Sequence, residues 1–81
     1  MTAEEYLAYH KHVFRVAFDF LNSHFPPGDD LDWWKQYAEE IAQASCKATG
    51  GTLANGMLAA ISEYLEEIYK QRRDENGQTE H

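Results

Sequence analysis

Apolar residues recur along this chain with the period of an α-helix in three long segments, separated by breaks at Pro26-Pro27-Gly28 and Gly50-Gly51. At about 100° per residue, Tyr6, Leu7, His10, Val13, Phe14, Ala17, Phe18, Leu21 and Phe25 share one side of the first segment. Val16 and Phe20 widen that side toward half the circumference. Glu4, Lys11, His12, Arg15, Asp19 and Asn22 fill the remainder. Thr2 and Glu5 have the spacing of a capping box, so the pattern predicts helix 1 over about residues 3–24, stopped by the prolines.

Helix 2 is predicted over about residues 30–49. Leu31, Trp34, Tyr37, Ala38, Ile41, Ala44, Ser45 and Ala48 form its apolar face, Asp30 or Asp32 is its N-cap, and Gly50 is its left-handed residue beyond the C-terminus. Helix 3 is predicted over about residues 52–73, capped by Thr52, with Leu53, Met57, Leu58, Ala60, Ile61, Tyr64, Leu65, Ile68 and Tyr69 across a wide stripe. Lys70, Arg72 and Arg73 suit the negative end of that helix. Residues 74–81 read as a flexible polar tail.

These elements predict a single all-α domain, either a small three-helix bundle or a more splayed three-helix arrangement. Two of the three stripes are wider than a minimal three-helix core requires. The surplus is buried in a homodimer or stands as an aromatic groove on a monomer. The densest cluster of charge and aromatic surface is Asp29-Asp30-Leu31-Asp32-Trp33-Trp34. Adjacent tryptophans on a helix point about 100° apart. Trp34 falls on the apolar face and is expected in the core. Trp33 falls on its shoulder beside Glu40 and is the spare one, left either to anchor a contact surface or to cover the prolines.

Composition narrows what such a domain can do. Hydrophobic residues make up 43% of the 81 positions and aromatics 14%, enough to fold despite a mean hydropathy of -0.67. A chain of this length buries only about 60% of its unfolded surface, so its core is marginal. Fourteen acids against seven bases give a net charge of -7, which repels nucleic-acid phosphates and acidic membrane surfaces. Direct nucleic-acid binding is therefore not expected, and a basic protein is the natural partner. No run of about 18 apolar residues is available to span a bilayer, and the amino terminus lacks the pattern of a signal peptide. The single cysteine, Cys46, excludes an internal disulfide framework and fits a reducing, cytoplasmic setting.

No catalytic or cofactor-binding pattern emerges. His10 and His12 diverge by roughly 200° on a helix and cannot share a metal; His10, mid-stripe, is expected to be packed or hydrogen-bonded. Cys46 lies near a helix C-terminus, which opposes a thiolate, and no histidine flanks it in sequence. Lys47-Ala48-Thr49-Gly50-Gly51-Thr52 has phosphate-loop letters in the wrong order and reads as a turn between helices. The acid pairs Glu4-Glu5, Glu39-Glu40 and Glu66-Glu67 point apart and read as solvated faces.

The expected function is thus non-enzymatic: a protein-interaction domain acting as adaptor or regulator, without cofactor or metal. Its candidate contact residues are Asp29, Asp30, Asp32, Trp33, Tyr37, Glu39 and Glu40. The alternative is an inhibitor of the phage or mobile-element type, whose acidic surface mimics nucleic acid and blocks a basic channel of a nucleic-acid-binding enzyme.

Overall fold

The computed structural model describes the backbone of residues 1–78 and the side chains of residues 1–73. It contains three helices, α1 (Ala3–Ser23), α2 (Leu31–Lys47) and α3 (Thr52–Gln78), and no strand among the described residues. The all-α, three-helix architecture expected from the periodicity is the one observed.

Local signals explain the helix starts. Thr2 Oγ1 accepts from the Glu5 amide and Glu5 Oε1 accepts from the Thr2 amide, both at 3.1 Å, so the capping box is complete. Asp30, in extended backbone, accepts the Trp33 amide at 2.7 Å and is the N-cap of α2. Thr52 is the first helical residue of α3 rather than its cap. The carbonyl of Gly51 accepts the first intrahelical bond, from Asn55 at 3.0 Å.

The end of α2 departs from expectation by one residue. Ala48 is the C-cap, and the left-handed position after it falls on Thr49 (φ 66°) as well as on Gly50 (φ 66°). The Gly50 amide donates to Ser45 at 2.8 Å and the Thr49 amide to Cys46 at 3.0 Å, the paired bonds of a Schellman motif. A β-branched residue thus occupies a conformation that glycine or asparagine adopts with less strain. The far end of α3 departs more: the helix runs five residues beyond the expected limit at 73, to Gln78. Proline is absent beyond Gly51, so nothing forces a stop. Of the expected flexible tail, residues 74–78 are helical and residues 79–81 lie outside the described residues.

Cross-helix contacts fix the direction of each helix. Tyr9 meets Gly50, His12 meets Lys47 and His24 meets Glu40, so α1 and α2 are antiparallel. Tyr37 meets Ser62 and Ser45 meets Asn55, so α2 and α3 are antiparallel too. It follows that α1 and α3 run parallel, and Phe25 stacks on Tyr64 with ring centroids 6.3 Å apart.

The core changes character along its length. At the Gly50 end it is built of small residues, Val13, Ala48 and Ala54, flanked by Tyr9, Val16, Leu53 and Met57. At the proline end it comprises Phe20, Tyr37, Ala44, Leu58 and Leu65, flanked by Leu21, Trp33, Trp34, Ile41 and Ile61. The molecule is elongated, with extents of 59 × 20 × 18 Å. Its accessible surface is 6073 Å², against about 5,000 Å² for a compact monomer of this mass. No helix among the described residues is long and apolar enough to cross a membrane.

Replacing Thr49 by asparagine should relieve the left-handed strain and add about 1 kcal/mol of stability, a rise of about 4–8 °C in Tm for a domain of this size. Thr49→Gly should gain less, because glycine has more backbone entropy to lose. If thermal unfolding showed no gain for Thr49→Asn, the strain would not reside at residue 49.

Candidate interaction surface

Most of the seven residues expected to form a contact patch are already engaged within the fold. Tyr37 is buried at the proline end of the core. Its hydroxyl lies 2.8 Å from Ser62 Oγ, which itself donates to the Leu58 carbonyl at 2.9 Å, so Tyr37 is the donor of the pair. Burial, together with Glu66 nearby, raises the Tyr37 pKa above 10.0, and the bond that Ser62 can donate to the phenolate opposes this only in part.

Trp33 is not left over. It is half-buried, stacked on Tyr37 with centroids 5.5 Å apart, and edge-on to Trp34 at 4.7 Å and to His24 at 6.1 Å. The backbone at Gly28 presses against it: a Cβ there would fall 2.4 Å from Trp33 Cγ. Trp34 is also half-buried. Its Nε1 donates to the Gly28 carbonyl at 3.1 Å, and its ring meets Tyr69 edge-on at 5.7 Å. The two indoles are divided between neighbours, not between core and solvent, because the loop wraps over the one that helical geometry turns away from α3.

The carboxylates are similarly occupied. Asp30 caps α2. Asp29 accepts from Arg72 at 3.0 Å, and the same guanidinium nitrogen donates to the Pro27 carbonyl at 2.8 Å. Glu40 lies 3.5 Å from Nε2 of His24, a buried histidine whose Nδ1 donates to the Phe20 carbonyl at 2.7 Å. Of the five acids in the expected patch, only Asp32 and Glu39 are exposed with no internal bond among the described residues. His24 was legible in principle, since it falls one helical turn after Phe20 on the buried line of α1.

His10, expected to be packed, is exposed beside Tyr6 and Tyr9. The reason lies in how α1 is rotated. Its buried line runs through Val13, Ala17, Phe20 and His24, to one side of the middle of its apolar stripe. The other half of the stripe is therefore outside: Leu7 is 61% exposed, Phe14 57% and Phe18 62%, followed by Phe25 beyond the helix end. Across the seam, α3 contributes exposed Tyr64 and the partly covered Met57, Ile61 and Ile68, with Leu21 of α1 on the floor between them. The surplus apolar surface that the stripes implied is thus gathered on the α1–α3 face, away from α2.

A groove on another side, between α1 and α2, is lined by His12, Arg15, Asp19, His24, Glu40 and Cys46 among others. Its polar groups largely satisfy one another. Arg15 pairs with Asp19 at 3.3 Å, and His12 Nε2 donates to the Lys47 carbonyl at 2.7 Å, capping the C-terminal end of α2. Among the described residues, no three His, Cys, Asp or Glu side chains converge as a metal site needs.

No protein-family model, curated protein or solved structure matches this chain.

Two substitutions at glycine separate the structural role of the Trp33 seat from ordinary helix propensity. Gly28→Ala should cost roughly 1–3 kcal/mol by overpacking against the indole. Gly56→Ala, in open space on α3, should instead stabilise by about 0.5–1 kcal/mol. Denaturant melts giving both the same sign would refute the seat. Tyr37 sets an alkaline limit. Its folded pKa lies above its unfolded value, so its contribution to stability is complete below pH 10.0 and is lost as pH rises through the raised value. Tyr37→Phe should flatten that loss in unfolding free energies measured on the alkaline side; an unchanged slope would assign it elsewhere.

Proposed function

We propose that this chain is a non-enzymatic protein-interaction domain, an adaptor or regulator that works by contact, and that its contact surface is the aromatic face between α1 and α3. The observation that carries this reading is the outward half of the α1 stripe: Leu7, Phe14, Phe18 and Phe25 are exposed along one strip, and Tyr64 of α3 stacks on Phe25 at its end. Large aromatics dominate interface energetics because each removes much apolar area from water with few rotatable bonds. A face of this kind on a small domain is a standing cost unless something covers it.

This moves the contact surface from the acidic entrance of α2 to the opposite side of the bundle. Trp33 and Tyr37 serve the core, while Asp32 and Glu39 contribute only to a diffuse negative field. A contact role is further supported by the state of the chemistry-bearing side chains. His12 and His24 are held by backbone carbonyls, and Cys46 is an exposed thiol near a helix C-terminus. A reducing, cytoplasmic setting suits that lone thiol.

The rival reading, an inhibitor that mimics nucleic acid, draws on the charge of -7. The two are separated by capture of binding partners from the native cell extract. A paired Phe14→Asp, Phe18→Asp variant should lose the partner, whereas Asp32→Lys, Glu39→Lys should retain it, with little change as salt rises. Retention by the aromatic variant together with loss in salt would replace the aromatic-face reading by electrostatic mimicry.

A further inference from the structure

We propose that the recess between the start of α2 and the second half of α3 binds a methylated ammonium group, the head of a quaternary amine or of a trimethylated lysine side chain. The site lies on the α2–α3 seam, apart from the aromatic face between α1 and α3.

Helical spacing gathers its walls. Asp30 and Leu31 stand four and three positions before Trp34 on α2, Glu66 stands three before Tyr69 and four before Lys70 on α3, and residues at these intervals share a side. With Asp29 they line a recess of about 550 Å³, within the range of small-molecule sites.

Its inner wall is aromatic. Trp34 and Tyr69, both half-buried, meet at a centroid distance of 5.7 Å with their planes at 71°. Where one ring stands edge-on against another, a corner bounded by a π-face of each lies beside the contact, and both rings line the recess. A cation in such a corner is attracted by the negative faces of two rings at once. The corner is fixed before any ligand arrives: Trp34 Nε1 donates to the Gly28 carbonyl at 3.1 Å, and Trp33 and Tyr37 pack on the same indole at 4.7 and 5.5 Å. Little ordering is then left to oppose binding.

Charge decides which guest fits. Asp29 is matched by Arg72, which leaves Asp30 and Glu66 against Lys70 and keeps the lining negative. The capping carboxylate of Asp30 also offsets the positive end of α2. A bare ammonium is strongly hydrated, and Lys70 shows the outcome: it is exposed and pairs with none of these carboxylates among the described residues. Methyl groups spread and shield the charge, so a methylated ammonium gives up water readily and offers apolar surface to Trp34 and Tyr69. Leu31, 68% exposed at the mouth, is the apolar side chain that such a guest covers.

The test titrates the isotope-labelled full chain with choline chloride, read from its indole and backbone amide NMR signals, and repeats the titration with the neutral alcohol in which carbon replaces the ammonium nitrogen. Choline should shift the Trp34 indole signal and the amides of Leu31 and Tyr69, and the neutral isostere should bind roughly fivefold more weakly. Tyr69→Phe, which keeps the ring face, should bind choline nearly as well as the wild type. Tyr69→Leu should lose roughly fivefold in affinity with its helical circular dichroism unchanged. Glu66→Gln should weaken binding, and Lys70→Met should tighten it. A trimethyl-lysine peptide that binds more tightly than choline, its unmethylated form silent, assigns the group to a protein partner; a peptide no tighter than choline assigns it to a free amine. Both results uphold the corner. It is overturned if neither choline nor the peptide moves these signals at millimolar concentration, if the neutral isostere binds equally, or if folded Tyr69→Leu binds as well as the wild type.

Discussion

The backbone at Pro27 and Gly28 is the point on which the proline end of the bundle depends. The absent side chain at Gly28 admits the Trp33 indole, its carbonyl accepts from Trp34, and the carbonyl of the preceding, fully buried Pro27 accepts from Arg72. Two residues of loop thus engage side chains from both α2 and α3. Once Trp33 is held there, it stacks on Tyr37, and Tyr37 in turn reaches Ser62 on α3. The stack explains how a loop of seven residues brings two helices to a defined distance: it presents flat surfaces and backbone acceptors, not bulk of its own.

The distribution of volume in the core accounts for what stays outside. Four of the nine buried hydrophobic residues are alanines, at 17, 44, 48 and 54. Alanines let helices approach closely but extend little surface over a neighbour. A helix lined with Ala44 and Ala48 cannot cover the half-turn-wide stripe of α1, and the bundle resolves the mismatch by turning α1 so that Val13, Ala17 and Phe20 face inward. The aromatics displaced by that rotation then collect on one face, not scattered around the helix, because they occupy adjacent angular positions.

Helix number, helix starts and the existence of surplus apolar surface were legible in the chain, since capping boxes, glycine breaks and a period near 3.6 are local signals. Which half of the α1 stripe would be buried was not. That choice is made by α2 and α3 together, and His10, expected to be packed, lies outside while His24 is buried. Trp33 was legible only as far as its two alternatives, a contact anchor or a cover for the prolines: helical angle separates it from Trp34, but the Gly28 backbone that folds over it comes from the preceding loop, whose path no periodicity encodes. Beyond the capping role expected of Asp30 or Asp32, the acids of the patch showed no partner in the sequence, because a carboxylate there carries no mark of what it will meet. Asp29 found Arg72 across 43 residues and Glu40 found His24.

The Arg72 bond to Pro27 spans 45 residues and closes a loop that contains all of α2 and the first three-quarters of α3. It acts as a noncovalent clasp. Helix α3 consequently has two mechanical sections: one up to Leu65 that is fastened by burial, and a further stretch to Arg72 that is held by the Trp34–Tyr69 contact and one guanidinium. If the second section lets go, the Pro27 turn loses its tether and the indoles lose the wall behind them. The proline turn and the far end of α3 are therefore held by shared contacts, separate from those that close the alanine-lined end around Gly50.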